Sequence, residues 1–143
     1  MPKIFTSGSQ KMGEVGENIA VRFLMKQDFK ILERNYTKKW GELDIIAEKK
    51  GRIHFVEVKS VSSADAKALA DRRETVSRGT GDAYRPEDNM HPWKLKRLAR
   101  TIQTYLLSNK VPEDKEWQMD LLVVFLALKD KKARVKVISD IIL

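Results

Sequence analysis

The chain has 143 residues, 34% charged and 42% hydrophobic, the usual size for one domain with a core of its own. No run approaches the ~18 apolar residues of a membrane span, the N-terminal MPKIFTSGSQK shows no apolar signal segment, and the absence of cysteine excludes disulfides and thiolate metal sites, so a cytoplasmic protein is expected. With 28 Lys and Arg against 20 Asp and Glu the net charge is +8, which points to a polyanionic partner, most simply nucleic acid.

Residues 10 to 27 are expected as a helix, because Met12, Val15, Ile19 and Phe23 fall on one stripe that Ala20 and Leu24 widen. Gly13 and Gly16 lie on or beside that face and allow a close approach to a sheet. Glu17 stands at its margin, where a carboxylate can reach a neighbouring site while the helix stays packed. From helix geometry alone, a boundary Glu in solvent is the simpler reading of the same position. Residues 29 to 37 read as a first strand, with Asn35 in the turn that follows.

The stretch WGELDIIAEKKGRIHFVEVKSV, from Trp40 to Val61, reads as a β-hairpin over roughly 42–48 and 52–61. A two-residue loop at Lys50-Gly51 sets Lys49 opposite Arg52, Ile46 opposite Phe55, Asp44 opposite Glu57 and Glu42 opposite Lys59. One face then runs from Ile46 and Phe55 to a cluster of ionised groups. The other carries Leu43, Ile45, Ala47, Val56 and Val58 as core, with His54 the odd member. Two carboxylates directly opposite, about 5 Å apart at Cβ, repel unless something positive lies between them. A divalent cation such as Mg2+ or Mn2+ would be that something. The plain alternative is a solvated face with a Glu42–Lys59 ion pair. A three-residue loop would make Asp44 and Glu57 diagonal neighbours instead.

Residues 61 to 92 are the least regular, with a Gly- and Ser-rich stretch, two prolines, and Arg72, Arg73, Arg78 and Arg85. A segment of this length reads as a flap beside the site (about 62–91), partly ordered by what it binds; the alternative is a surface insertion without a role. His91-Pro92 opens a second helix over 92–108. Its Leu95, Leu98, Ile102, Tyr105 and Leu106 face inward, Lys96, Arg97 and Arg100 outward, and Lys94 sits between. Trp117 to Leu128 reads as a buried strand, Lys129 to Lys132 as a turn, and Arg134 to Leu143 as a last strand. The order is α-β-β-β-α-β-β: one domain over 1–143, an α/β fold with a mixed sheet covered by helices.

Taken in order, Gly13-Glu14-Val15-Gly16-Glu17 with Ala20, then GELDIIA at 41–47, FVEVK at 55–59, Lys94 to Leu106 and Met119-Asp120 form a specific combination. It resembles an uncharacterised bacterial family of the YraN type, in the restriction-endonuclease-like (PD-(D/E)xK) superfamily near archaeal Holliday-junction resolvases. The resemblance omits residues 62–90, and Ser60-Val61 stand where the family usually has an Arg. It implies a restriction-endonuclease-like core in which Asp44 and Glu57 bind Mg2+ (or Mn2+), the Val58 carbonyl adds a ligand, and Lys59 attends the attacking water. Glu17 would match the helix-borne carboxylate of the resolvases, as catalytic and metal-binding residue. The implied activity is a metal-dependent endonuclease on DNA, including branched or flapped forms. Lys94, Lys96, Arg97, Arg100, Arg72 and Arg73 are the expected nucleic-acid contacts. Two symmetric cuts need two sites, so the resemblance leaves room for a homodimer; no membrane partner is expected. The alternatives are a nucleic-acid-binding module that keeps the fold without cleaving, and an adaptor whose flap and helix bind a protein.

Overall fold

The structure is a computed structural model that describes residues 8–62, 91–127 and 132–143. Residues 63–90, nearly all of the expected flap with Arg72, Arg73, Arg78 and Arg85, lie outside the described residues, as does most of the expected turn at Lys129 to Lys132. The elements follow in the order α1 (Gly8–Lys26), β1 (Lys30–Lys38), β2 (Gly41–Lys49), β3 (Arg52–Val61), α2 (Pro92–Ser108), β4 (Trp117–Ala127) and β5 (Lys132–Ile138). The strands form a five-stranded sheet of order β1-β2-β3-β4-β5. Only the β3–β4 pairing is parallel; the other three are antiparallel.

The hairpin turn fixes the middle of the sheet. Lys50 and Gly51 both adopt positive φ, 51° and 77°, the pair that a two-residue type I′ loop requires. Lys49 therefore faces Arg52, and Ile46 faces Phe55. Gly takes this conformation freely, whereas it costs a residue with a Cβ about 1–2 kcal/mol. Asn-Gly is the favoured pair at such turns. Lys50→Asn is therefore expected to stabilise the protein by roughly 0.5–1 kcal/mol, or about 2–4 °C in Tm. A melt that is unmoved or lowered would count against the turn geometry.

Both faces of the sheet are covered. On one, α2 lays Leu98, Ile102 and Tyr105 against Leu43, Ile46, Phe55, Met119, Leu121 and Val123. On the other, Ala20 and Leu24 of α1 meet Ile45, Ala47, Val56, Leu122 and Val124. β4 alternates between these two cores, which is why its apolar run is unbroken. The expectation of a single buried hairpin face is corrected on two points. Ile46 and Phe55 are core residues under α2, and Leu43 joins them rather than Ile45. Two glycines permit the close packing. A Cβ on Gly16 would lie 1.8 Å from Ser60 Oγ, and one on Gly41 would lie 2.6 Å from Thr101 Oγ1. Gly16 thus seats α1 on β3 beside Glu17, and Gly41 seats β2 against α2.

Two further expectations are corrected. Asn35 lies inside β1, not in the turn after it, with φ 53°. The last strand ends at Ile138 rather than running to Leu143. Asp140 turns the chain at φ 56°, its N–H donates to Asp120 Oδ1 at 2.9 Å, and the Ile141 N–H donates to Met119 O at 2.7 Å. His54, odd on an apolar face, finds its partner on the next strand. Its Nδ1 lies 2.7 Å from Asp120 Oδ2, and Gln118 Nε2 donates to the other oxygen at 2.7 Å. Three hydrogen-bond partners satisfy an Asp120 carboxylate that is only 5% exposed.

Candidate active site

The β2–β3 ladder pairs as far as Ile45 and Val56 and stops. A continuing antiparallel ladder would next bond Leu43 to Val58. Instead the Val58 N–H donates to Asp44 Oδ2 at 2.8 Å, so the Asp44 carboxylate stands where a backbone carbonyl would have been. The N–H and C=O of an extended residue point to the same edge, which turns the Val58 carbonyl toward the same opening. On the other side, β1 pairs with β2 at Arg34–Ile45 and Tyr36–Leu43. Between them sits Asn35 in its left-handed conformation, opposite Asp44. The sheet is thus irregular on both sides of this one residue.

The structure brings Asp44 and Glu57 together, although not as a ladder pair. The Glu57 carboxyl is pushed up to about 9, first by burial and then by its hydrogen bond to Asp44 and the charge there, with Lys94 pulling the other way. At neutral pH the Asp44–Glu57 pair therefore holds one proton between its two carboxyls. Glu17 reaches the same group from α1. Its carboxyl is pushed up to about 7, first by burial and then by the Asp44 charge, while Arg34 lowers it. Arg34 in turn donates to Asn18 Oδ1 at 2.9 Å.

Asp44 and Glu57 open into a cleft of about 490 Å³, whose lining does not include Glu17. Thr37, Lys38, Lys39, Gly41 and Glu42 line it from the β1–β2 end, and Trp93, Lys94, Arg97 and Leu98 from the first turns of α2. Arg97 is held in place by its Nε, which donates to Trp40 O at 3.0 Å. Arg100 instead packs on Trp40, its guanidinium 4.1 Å from the ring centre, and does not line the cleft. Lys96 is exposed and does not line the cleft. Lys59 follows Glu57 by two residues on β3 and is also exposed. Among the described residues it forms no ion pair with Glu42; Glu42 accepts from Thr37 Oγ1 at 3.2 Å. Sequence reasoning missed Lys38 and Lys39, although two adjacent lysines just ahead of Trp40-Gly41 are a visible signal.

Asp44 and Glu57 offer hard oxygen donors, and a neighbouring pair in which one member must keep a proton is what a divalent cation would relieve. Among the described residues no group of three or more His, Cys, Asp or Glu side chains is placed to hold a metal ion. Mg2+ is usually held by one or two carboxylates, with water and substrate phosphate completing its shell. The residues present fit that ion rather than a closed structural site.

The element order, the mixed sheet and the helices on its two faces define a restriction-endonuclease-like α/β fold. The uncharacterised protein family UPF0102 matches residues 16–139, and the chain belongs to that family. A UPF0102 protein of Campylobacter jejuni is 35% identical over 112 residues, 78% of this chain and 81% of the relative. One from Alkaliphilus oremlandii is 33% identical over 127 residues, 89% and 93% of the two chains. The structure of Pyrococcus furiosus SfsA in complex with Ca2+ is similar at a TM-score of 0.37 and 14% identity, over 94% of this chain and 65% of that one, a likeness too slight to carry any argument. Among the described residues no helix is long and apolar enough to cross a membrane.

Proposed function

We propose that the protein is a divalent-metal-dependent endonuclease acting on DNA, branched or flapped forms included. One observation carries the reading: hydrogen-bonded Asp44 and Glu57 share a cleft with Lys38, Lys39, Lys94 and Arg97. Four cations suit a phosphodiester backbone, whereas the carboxyls of Glu42, Asp44 and Glu57 in the same cleft disfavour a phosphate unless a cation lies between. Mg2+ or Mn2+ would be held by Asp44 and Glu57, with the Val58 carbonyl as a further oxygen donor and Glu17 acting from outside the ion's direct ligands. When bound, the ion lowers the pKa of water and stabilises charge at phosphorus. The cleft lysines and Arg97 position the backbone phosphates. Lys59, beyond Glu57 on the same strand, orients the attacking water and offsets the charge that develops on the phosphate. Symmetric cutting of a four-way substrate would need a homodimer.

The exposed position of Lys59, outside the cleft lining, favours one competing reading, a binding module on the same fold that does not cleave. Incubating linear, flapped and four-way DNAs with Mg2+, Mn2+ or EDTA separates the two. The nuclease reading expects metal-dependent products from at least one of them. Salt-sensitive binding with no product from any would replace it with the binding module.

The same geometry refines which cations matter. Lys94→Glu with Arg97→Glu is expected to weaken DNA binding and reduce the slope of log K against log salt by about 2, because each phosphate contact releases counterions. Lys96→Glu, away from the cleft, should leave the slope close to wild type. Equal slopes in all three proteins would remove the first turns of α2 from the interface.

A further inference from the structure

The rim of the cleft carries two exposed rings that neither the core nor the metal reading uses. Trp93, in the first turn of α2, is 58% exposed. His91, the residue that caps this helix, makes no side-chain capping hydrogen bond, so its imidazole is not committed to the helix end. The two rings are parallel within 7°, with centroids 6.3 Å apart, near the wide end of the about 4.5–7 Å range of aromatic pairs. Arg97 lies 5.7 Å from the Trp93 ring centre while its Nε is tied to Trp40 O. Trp93, Lys94 and Arg97 line one wall of the cleft that holds the carboxyls. A single exposed aromatic residue is ordinary on a protein surface. Parallel rings beside fixed cations, at the mouth of a cleft that suits phosphate, are a different arrangement. They combine a face for a base with charges for its backbone, as in proteins that bind single strands.

We propose that His91 and Trp93 stack an unpaired base of the strand whose phosphate enters the cleft, so that the protein prefers DNA with a single-stranded segment at that point. A base inside a duplex has both faces covered by its neighbours and cannot reach a ring on the protein surface. A base in a flap, an end or a junction centre can. The inference rests on the nucleic-acid reading of the cleft, but not on cleavage.

The test is binding with Ca2+ present to occupy the carboxyl pair, on DNAs checked to remain intact throughout. Labelled single-stranded, flapped and blunt duplex DNAs of equal length are titrated with wild type, Trp93→Ala and Trp93→Phe, and anisotropy and tryptophan fluorescence are recorded. Trp93→Ala is expected to weaken single-strand and flap binding about tenfold while changing blunt-duplex binding by less than about twofold. Trp93→Phe should retain most of the affinity, and single strands should quench the fluorescence of wild type far more than that of Trp93→Ala. An equal loss on all three DNAs, or no loss on the single strand, overturns the stacking role while leaving the nuclease reading standing. Failure of wild type to bind any of the DNAs overturns both. Lack of cleavage in a parallel Mg2+ assay, with the binding pattern intact, overturns only the nuclease reading.

Discussion

Glu57→Ala and Asp44→Ala are each expected to lower metal-dependent DNA cleavage by roughly two to three orders of magnitude or more, since each removes an oxygen donor from the hydrogen-bonded carboxyl pair in the cleft. Their effects on folding should differ. Glu57→Gln removes a half-buried acid whose carboxyl is pushed up beside Asp44, and its metal-free form is expected to melt at or above wild type. Asp44→Ala relieves the same pair but strands the Val58 N–H that donates to it, a loss of about 1–3 kcal/mol. Its Tm should fall below that of Asp44→Asn, which keeps an acceptor in place. Lys59→Ala should leave metal binding intact while turnover falls by roughly 10²–10³. Glu17→Ala should be the mildest, because Glu17 approaches the pair from α1 and meets chiefly Asp44. Thermal melts and single-turnover rates on a flapped or four-way DNA measure all of these. Cleavage by both Asp44→Ala and Glu57→Ala at the wild-type rate would remove the chemistry from this cleft.

The second large effect is on stability against pH. Glu17 and Glu57 ionise near 4.5 when unperturbed and near 7 and 9 in the folded protein. Between those values the folded chain binds more protons than the unfolded one, so stability falls as pH rises. The stability that these protons confer is fully present below about pH 4.5. It is lost as pH passes about 7 for Glu17 and about 9 for Glu57. In EDTA the Tm is therefore expected to decline from mildly acidic to alkaline pH, and Glu57→Gln should remove the upper part of that decline. With saturating Mn2+ the trend should reverse above neutrality, because the carboxyls bind the ion only after losing their proton, so affinity grows with pH. Parallel pH profiles with and without Mn2+ would contradict the assignment of these two groups to one site.

The hairpin was legible because its turn is local chemistry. Lys50-Gly51 places two positive φ angles next to each other, and the register of the paired residues follows from that alone. The helix 92–108 was legible through Pro92 at its start and the apolar spacing of Leu98, Ile102 and Tyr105. The side on which Leu43 falls was not legible. Alternation along β2 assumes a continuous ladder, and the ladder opens at Asp44, whose carboxylate takes the Val58 amide. Nor does a strand's own pattern show how many of its faces are covered, which depends on where α1 and α2 dock. Gly13 and Gly16 pointed to close approaches of α1, but a Cβ on Gly13 would meet nothing within 4 Å, and neither Ser60 as the partner of Gly16 nor the contact of Gly41 with Thr101 was visible in the sequence. His54 remained unexplained until the parallel pairing of β3 with β4 brought Asp120 beside it, a contact between residues 66 apart in sequence. The end of β5 has the same kind of cause, since Asp120 and Met119 capture the Asp140 and Ile141 amides.

Calorimetric titration with Mn2+ at mildly alkaline pH, comparing wild type, Glu57→Gln, Asp44→Asn and Lys59→Ala, tests most directly whether the Asp44–Glu57 pair is a divalent-cation site. Wild type and Lys59→Ala should bind one ion with similar affinity and release protons to the buffer, while Glu57→Gln and Asp44→Asn bind at least about tenfold more weakly with less proton release. Four indistinguishable isotherms, or no binding by the wild type, would contradict the account.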